Sequence, residues 1–477
     1  MPILALEAST SSAKAMLWEL ERGLLAVEQL PYPAGACDGM TFDPRRVVES
    51  VLACGAALLG RHSDVAVEAI GLSSIWHSLV VLDGQKNPIG PGFTWADTSP
   101  APTVADFRAD REFADHFYQT TGCALHSSFN IFKWLHLRQT ADTSAVRHVS
   151  CLPEYLFDAL TGHLAVSLSC TAGSGFLNAH TLNWDPGLLQ LAGIDSGMLG
   201  KPVEPHFSLP LAQAAAKALG LPTGLPVTVA GPDGALNHIA AGGLGNPAMT
   251  LSVGTSGAIR MAHTGPAIPK EQSTWCYYGA EGQYIIGAAT SGAGNCVNWF
   301  MSQMPGSSAG FSTMEEVAIL AKSENTPYFL PFLFGERCPG WDDKRRGGFS
   351  CLSGAMGTGE LYRSLLEGIL FNLYQNYQIL VDVAGSAPER IGISGGITQS
   401  PFWTQLAADI FNLPVEENTG EHASLLGAAY VAAKAVGMIP TLTSIPEARG
   451  KRHEPDAKAH EIEMERFQNW LLEYKKG

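Results

Sequence analysis

Two rhythms of apolar positions alternate along the chain. Short apolar runs of strand length are separated by stretches in which apolar residues return at helical spacing, with Gly, Pro and small polar residues at the joins. The first run, Ile3 to Leu6, passes through Glu7-Ala8-Ser9-Thr10-Ser11-Ser12 into Ala13 to Leu17, which predicts strand, small-residue turn, strand. Helical period over Arg45 to Leu59 precedes a strand at Val67 to Leu72. Phe107 to Leu137 reads as mostly helical around a polar break at His126-Ser127-Ser128, and Glu154 to Leu160 and Gln213 to Leu219 are further helices. Near the midpoint Val227 to Ala230 is a strand stopped by Gly231-Pro232, and Gly234 to Ala241 continues as a helix of small and apolar residues. Met249 to Val253 then runs into Gly254-Thr255-Ser256-Gly257. Beyond it come a strand at Tyr284 to Gly287, helices at Asn295 to Met301 and Glu360 to Leu380, and a strand at Arg390 to Ser394. Helices follow at Pro401 to Phe411, Ala423 to Val436 and Ala459 to Tyr474, the last amphipathic and expected to be a solvated surface element. This order predicts an α/β protein in both halves.

The joins carry the candidate chemistry. Asp233 stands where a strand ends and a helix begins, either as a base or, more plainly, as an N-cap. The turn at Thr255-Ser256 gathers backbone N–H groups and hydroxyls at one point, which suits a phosphate, although such a turn also makes an ordinary hairpin. Thr10-Ser11 occupies the same place in the first hairpin, with Ser9 on Gly254 and a basic residue, Lys14 or Arg260, following each. Two similar domains, each opening with a phosphate-holding hairpin and facing one nucleotide, would explain the repeat. Trp76-His77 and Trp95-Ala96-Asp97 follow strand-like segments, where an aromatic beside a polar group can stack on a sugar and bond its hydroxyls; core packing is the plainer role for either. Gly294 at a helix start and Gly395-Gly396 after a strand leave bare backbone that a ligand can approach. Lys133 lies on a helix, where most lysines are solvated.

Composition narrows the setting. At 477 residues the chain calls for two domains, and 46% hydrophobic residues suffice for sizeable cores and for a homodimer interface. A net charge of −15 opposes binding to nucleic acid or to an anionic membrane, so an anionic substrate needs a local basic partner. The nine cysteines are scattered without a CxxC pair, as expected of reduced thiols in the cytoplasm. MPILALEAST lacks the features of a secretory signal, and no apolar run reaches the roughly 18 residues of a membrane span.

With these segments in place the chain resembles the FGGY family of carbohydrate kinases over nearly its whole length. Ser394-Gly395-Gly396 through Trp403-Thr404-Gln405 to Ala408-Asp409 resembles the family's second signature, and Gly231-Pro232-Asp233-Gly234 and Leu251 to Gly257 its central region. Ser73-Ser74, His77-Ser78-Leu79, Thr94 to Asp97, Gly254 to Arg260, Gly335-Glu336-Arg337 and Asn372-Leu373-Tyr374 resemble the gluconate kinase branch, with D-xylulose kinases next. The resemblance implies two ribonuclease-H/actin-like domains with a cleft between them, here 1–244 and 245–477. It also implies transfer of the γ-phosphoryl group of ATP, with Mg2+, to a terminal hydroxyl of a small sugar or sugar acid. Asp233 would be the general base; Trp76, His77 and Asp97 would join it on the sugar. Thr10, Ser11, Thr255, Gly294, Asn298, Gly396 and Ser400 would meet the nucleotide, and Glu7 the metal.

Two departures qualify this expectation. Glu7-Ala8-Ser9-Thr10 stands where the family has Asp-x-Gly-Thr, and Asn130 and His136 break the first signature around Lys133. If the Ser9 position needs positive φ, serine is strained there. A non-catalytic homologue therefore stays open, as does a chaperone-like ATPase, against which the sugar-side aromatics speak. For an anionic substrate, Lys133 and Arg337 are the candidate partners.

Overall fold

The computed structural model describes residues 1–245, 248–303, 310–418, 422–445 and 450–476. Each half is built around a mixed sheet with helices packed against it. In the first, the order from one edge is Gly23–Pro31, Ser12–Glu19, Pro2–Ala8, Ala69–Ser74, Pro226–Thr228 and Ser208–Pro210. The first three strands are antiparallel, the next two join in parallel, and the last is antiparallel again. The second sheet repeats this in Gln283–Thr290, Gly257–Thr264, Ala248–Val253, Arg390–Ser394, Val415–Glu417 and Arg452–His453, with Trp275–Ala280 added at the edge. The short repeat between the two turns thus belongs to a repeat of whole sheets.

Burial explains the strand sequences. Ala69–Ser74 is buried at every position and Pro2–Ala8 at all but its first, so neither alternates apolar with polar. The helix Pro44–Arg61 covers the first sheet with Val47, Val51, Cys54 and Leu58 on one face, and Asp43 caps it by accepting from the Arg45 and Arg46 N–H groups.

The halves meet at two helices, Asp233–Ala240 and Ala423–Ala435, packed on each other. The second follows the C-terminal sheet in the chain yet lies on the strands Pro2–Ala8 and Ala69–Ser74. A Cβ on Gly427 would sit 2.2 Å from the Leu236 carbonyl oxygen, so only glycine permits this approach. One apolar core runs from Ile3 and Trp76 to Ile391 and Leu425 across the junction.

Three expectations need correction. The first hairpin turn is shorter than expected, and Glu7 lies inside the strand, paired with Lys14. The strand expected at Val67 to Leu72 runs instead over Ala69–Ser74. The C-terminal helix Ala457–Lys476 is docked rather than merely solvated: Phe467 and Trp470 are fully buried, and Arg466 donates to Glu367 at 2.7 Å. Among the described residues no helix is long and apolar enough to cross a membrane.

Candidate active site

Asp233 reaches its place through the sheet. Gly231 and Pro232 pair with Ser73 and Ser74, and Glu7 pairs with Ser73 from the other side, so three strands end close together. Pro232 takes the N-cap position and Asp233 is the first helical residue. Its carboxylate accepts the N–H of its own neighbour Gly234, at 2.7 Å, and Pro232 holds the cap position, which removes the N-cap reading. Burial pushes the carboxyl up to about 6, Glu7 adds to the rise, and the Gly234 N–H and Arg260 oppose it. A carboxylate so poised suits proton transfer near neutral pH.

Trp76 and His77 follow the strand Ala69–Ser74 after Ile75. Their rings stack with centroids 5.3 Å apart and planes 7° from parallel, and Tyr277 of the second half lies 5.0 Å from Trp76. His77 is in the left-handed region at φ 54°, and its Nδ1 is 2.8 Å from the Gly173 carbonyl. Burial drives its pKa down to about 3, so the ring is neutral, Nδ1–H donates to Gly173, and Nε2 is the acceptor. Trp76 Nε1 is buried without a partner.

Asp97 is buried and accepts from the Ser99 N–H at 2.9 Å and the Ser99 hydroxyl at 3.0 Å. Trp95, beside it in sequence, is 44% exposed. Lys133 is not solvated. It is 2% exposed, donates to the His77 carbonyl at 2.9 Å and to the Ser128 carbonyl, and burial lowers its pKa to about 7 against the pull of Asp97. It therefore braces the His77 backbone in its unusual conformation.

Two arginines complete this side. Arg260 reaches from the strand Gly257–Thr264 to the start of the Asp233 helix, where a Cβ on Gly234 would lie 3.2 Å from both Arg260 Nη2 and Trp76 Cε3. Arg337 stands 6.0 Å from the Trp341 ring, and its charge acts on His77, His126 and Arg260. Both lay within the motifs GTSGAIR and GER, but nothing in the sequence showed that Arg260 would act on Asp233 or Arg337 on His77.

The remaining residues form a second group. Thr255 and Ser256 are exposed at the turn, and the helix Gly294–Gln303 docks on it: the Gly294 N–H donates to the Gly254 carbonyl at 2.9 Å and Asn295 N–H to the Thr255 carbonyl at 3.0 Å. A Cβ on Gly294 would lie 2.4 Å from the Gly254 oxygen, so this glycine serves the packing of turn on helix. Asn298 is exposed on the same helix, and Gly396 opens the 3-10 turn Gly396–Gln399 after the strand Arg390–Ser394. The Ser400 hydroxyl is committed, donating to Glu315 at 2.9 Å and accepting from Trp403 N–H at 3.1 Å. In the first hairpin, Ser9 closes the turn onto the Ser12 carbonyl, leaving Thr10 half-buried and Ser11 exposed. Ser9 is outside the left-handed region, so serine for glycine brings no backbone strain here. Glu7 is buried, accepts from the Ser424 hydroxyl at 2.7 Å and stands 3.6 Å from Lys14 Nζ.

Known proteins share this fold. The N-terminal domain of the FGGY family of carbohydrate kinases matches residues 2–240, and its C-terminal domain matches 249–436. The gluconokinase of Bacillus subtilis (strain 168) is 25% identical over 471 residues, covering 95% of this chain and 91% of that protein. The xylulose kinase of Lactococcus lactis subsp. lactis (strain IL1403) is 25% identical over 454 residues, covering 94% and 90%. The crystal structure of gluconate kinase from Lactobacillus acidophilus superposes with a TM-score of 0.95 at 29% identity, over 100% of this chain and 98% of that one. Ligand-bound xylulose kinase from the same species gives 0.94 at 29% identity, again over 100% and 98%. Asp233 at the start of a junction helix, between two sheets of one pattern, thus falls within a fold and a pair of domains held in common with sugar kinases, and the chain belongs to the FGGY family of carbohydrate kinases, phosphotransferases with an alcohol group as acceptor.

Proposed function

We propose that the protein transfers the γ-phosphoryl group of ATP to a terminal hydroxyl of gluconate, with Asp233 as general base. The observation that carries this reading is the Asp233 carboxylate, free of a capping role and raised to about 6 beside the Trp76-His77 stack. The same reading gives residues 1–244 the sugar and the base, and residues 245–477 the nucleotide.

Each side chain then has a task. Asp233 takes the proton of the attacking hydroxyl, which becomes nucleophilic as the O–H bond breaks. His77 Nε2 accepts from a sugar hydroxyl, Trp76 offers its face to the carbon chain, and Asp97 accepts from a further hydroxyl. Lys133 holds the His77 carbonyl and fixes the ring's direction. The Thr10-Ser11 and Thr255-Ser256 turns hold phosphates, and closure of the halves around both ligands excludes water and limits ATP hydrolysis.

The residues present fit a magnesium ion. The Glu7 and Asp233 carboxylates are near enough for Glu7 to raise the Asp233 pKa, and the Ser73 hydroxyl, register neighbour of Glu7, is buried without a partner. Such hard oxygens suit Mg2+, which with ATP supplies an electrophilic phosphorus and neutralises charge as it transfers. Among the described residues no three His, Cys, Asp or Glu side chains are arranged as a metal cage, so water and phosphate oxygens would complete the ligand set.

D-xylulose is the second reading, supported by relatives and a solved neighbour of that activity. ADP release from Mg-ATP should be measured with gluconate, D-xylulose, other ketoses, polyols and no acceptor. Strong stimulation by gluconate is the expected result. Stimulation by D-xylulose alone would keep the kinase and replace its substrate; stimulation by none would refute the reading.

A further inference from the structure

The sugar side carries more positive charge than its own fold employs. Arg260 Nε and Arg337 Nε are both buried without a hydrogen-bond partner, and among the described residues neither guanidinium forms an ion pair. Both residues are half-buried, and a guanidinium that gives up part of its water is normally paired, because the loss is costly. These two are also close enough for Arg337 to weaken the protonated form of Arg260, whose pKa burial lowers to about 10; the Asp233 charge opposes that fall, although no ion pair joins it to Arg260 among the described residues. Their surroundings are those of the substrate. Arg260 lies against Trp76 and the start of the Asp233 helix, and Arg337 acts on the rings of His77 and Tyr277. The other basic candidate is already engaged: Lys133 gives its ammonium to the His77 and Ser128 carbonyls.

We infer that Arg337, with Arg260 beside it, forms an anion subsite that takes the carboxylate of an aldonate acceptor. This rests on the proposed kinase reading of the same cleft and deepens it: the acceptor is a sugar acid in preference to a neutral ketose or polyol. A guanidinium is a planar fork of donors that matches a carboxylate in two parallel bonds. Arg260 lies against Gly234 and Trp76 and acts on Asp233, whereas Arg337 stands 6.0 Å from the Trp341 ring and acts on Arg260, His77 and Tyr277. A carbon chain lying on Trp76 with its terminal hydroxyl at Asp233 therefore directs its other end toward Arg337.

The test compares gluconate with D-glucitol, which differs only in carrying CH2OH in place of the carboxylate. Wild-type protein should favour gluconate in kcat/KM by about 100-fold or more. Arg337→Gln should raise KM for gluconate by about 30-fold while leaving kcat within about threefold and KM for ATP unchanged, and Arg337→Lys should recover part of the loss. Equal turnover of the two acceptors by wild-type protein would overturn the inference, even if the variant fails to fold. So would a rise in KM for ATP instead of gluconate, which would assign the arginines to the nucleotide's phosphates. Should no acceptor be phosphorylated, the kinase reading fails, and calorimetric titration of the wild-type protein decides the subsite separately: gluconate binding without D-glucitol binding supports it, and binding of neither or both refutes it.

Discussion

Asp233 concentrates the cost and the use of the site in one carboxyl group. Its pKa is raised from 3.8 to about 6, so between those values the native state holds a proton that the unfolded chain has released. Stability should therefore fall as pH rises from about 4 to about 6 and then level, while kcat/KM, which needs the carboxylate, should rise over the upper part of that range and plateau above about 7. Asp233→Asn keeps an acceptor for the Gly234 N–H and removes the half-buried charge. It should lose about 1,000-fold or more in kcat yet gain about 2 kcal/mol of stability at pH 8, with ATP binding retained. Urea unfolding at pH 5 and pH 8 with parallel ADP-release assays checks both signs. A variant that kept most of its kcat would remove Asp233 from the chemistry.

Among elements, the long helix Thr358–Ala384 and the C-terminal helix Ala457–Lys476 are joined by a buried charged network. Arg466 donates to Glu367 through Nε at 3.0 Å and Nη2 at 2.7 Å, while Arg363 donates to Glu367 at 2.7 Å and to Glu463 at 3.2 Å. The Ser323 hydroxyl lies 3.0 Å from Glu367 and 2.9 Å from Glu463, closing the cluster. Arg466→Met would leave Glu367 with one guanidinium in place of two, and should destabilise the protein by about 3 kcal/mol, read as a lower urea midpoint. The sequence showed the tail only as an amphipathic helix with charges along it. Charge type does not reveal whether a partner waits in the fold, and here Glu367 lies 99 positions away in the chain.

At the scale of the molecule, the two halves are held by the crossing of Asp233–Ala240 with Ala423–Ala435 and by the Ser424–Glu7 bond from one side of the chain to the other. The proposed base, Asp233, begins one of these helices, so the contact that joins the halves would also position the chemistry. Gly427→Ala places a methyl group 2.2 Å from the Leu236 carbonyl oxygen and must push the helices apart. It should cost about 2 kcal/mol in stability and lower kcat more than it raises KM for either substrate, since in the proposed reading each ligand still meets its own half. Steady-state kinetics beside urea unfolding would test this; unchanged kcat at lowered stability would separate the crossing from the alignment of the site.

Much of the architecture was legible because it is local. Helices at Gln213–Leu219 and Pro401–Phe411 and the strand Arg390–Ser394 appear with the limits read from periodicity and punctuation, and the likeness of Thr10-Ser11 to Thr255-Ser256 correctly announced a repeated sheet. Strand length, turn residues and helical period are short-range properties, and sequence by itself determined them, along with the position of Asp233 between a strand and a helix. Tertiary structure alone decided which side chains meet there. Lys133 is buried because the His77 and Ser128 carbonyls receive it, Glu7 belongs to a strand because Lys14 and Ser73 pair with it, and Arg260 reaches Gly234 only once the second sheet is set against the first. Burial, charge coupling and side-chain direction arise from segments far apart in the chain, and the raised pKa of Asp233 and the approach of Arg260 to it come into being only when those segments pack.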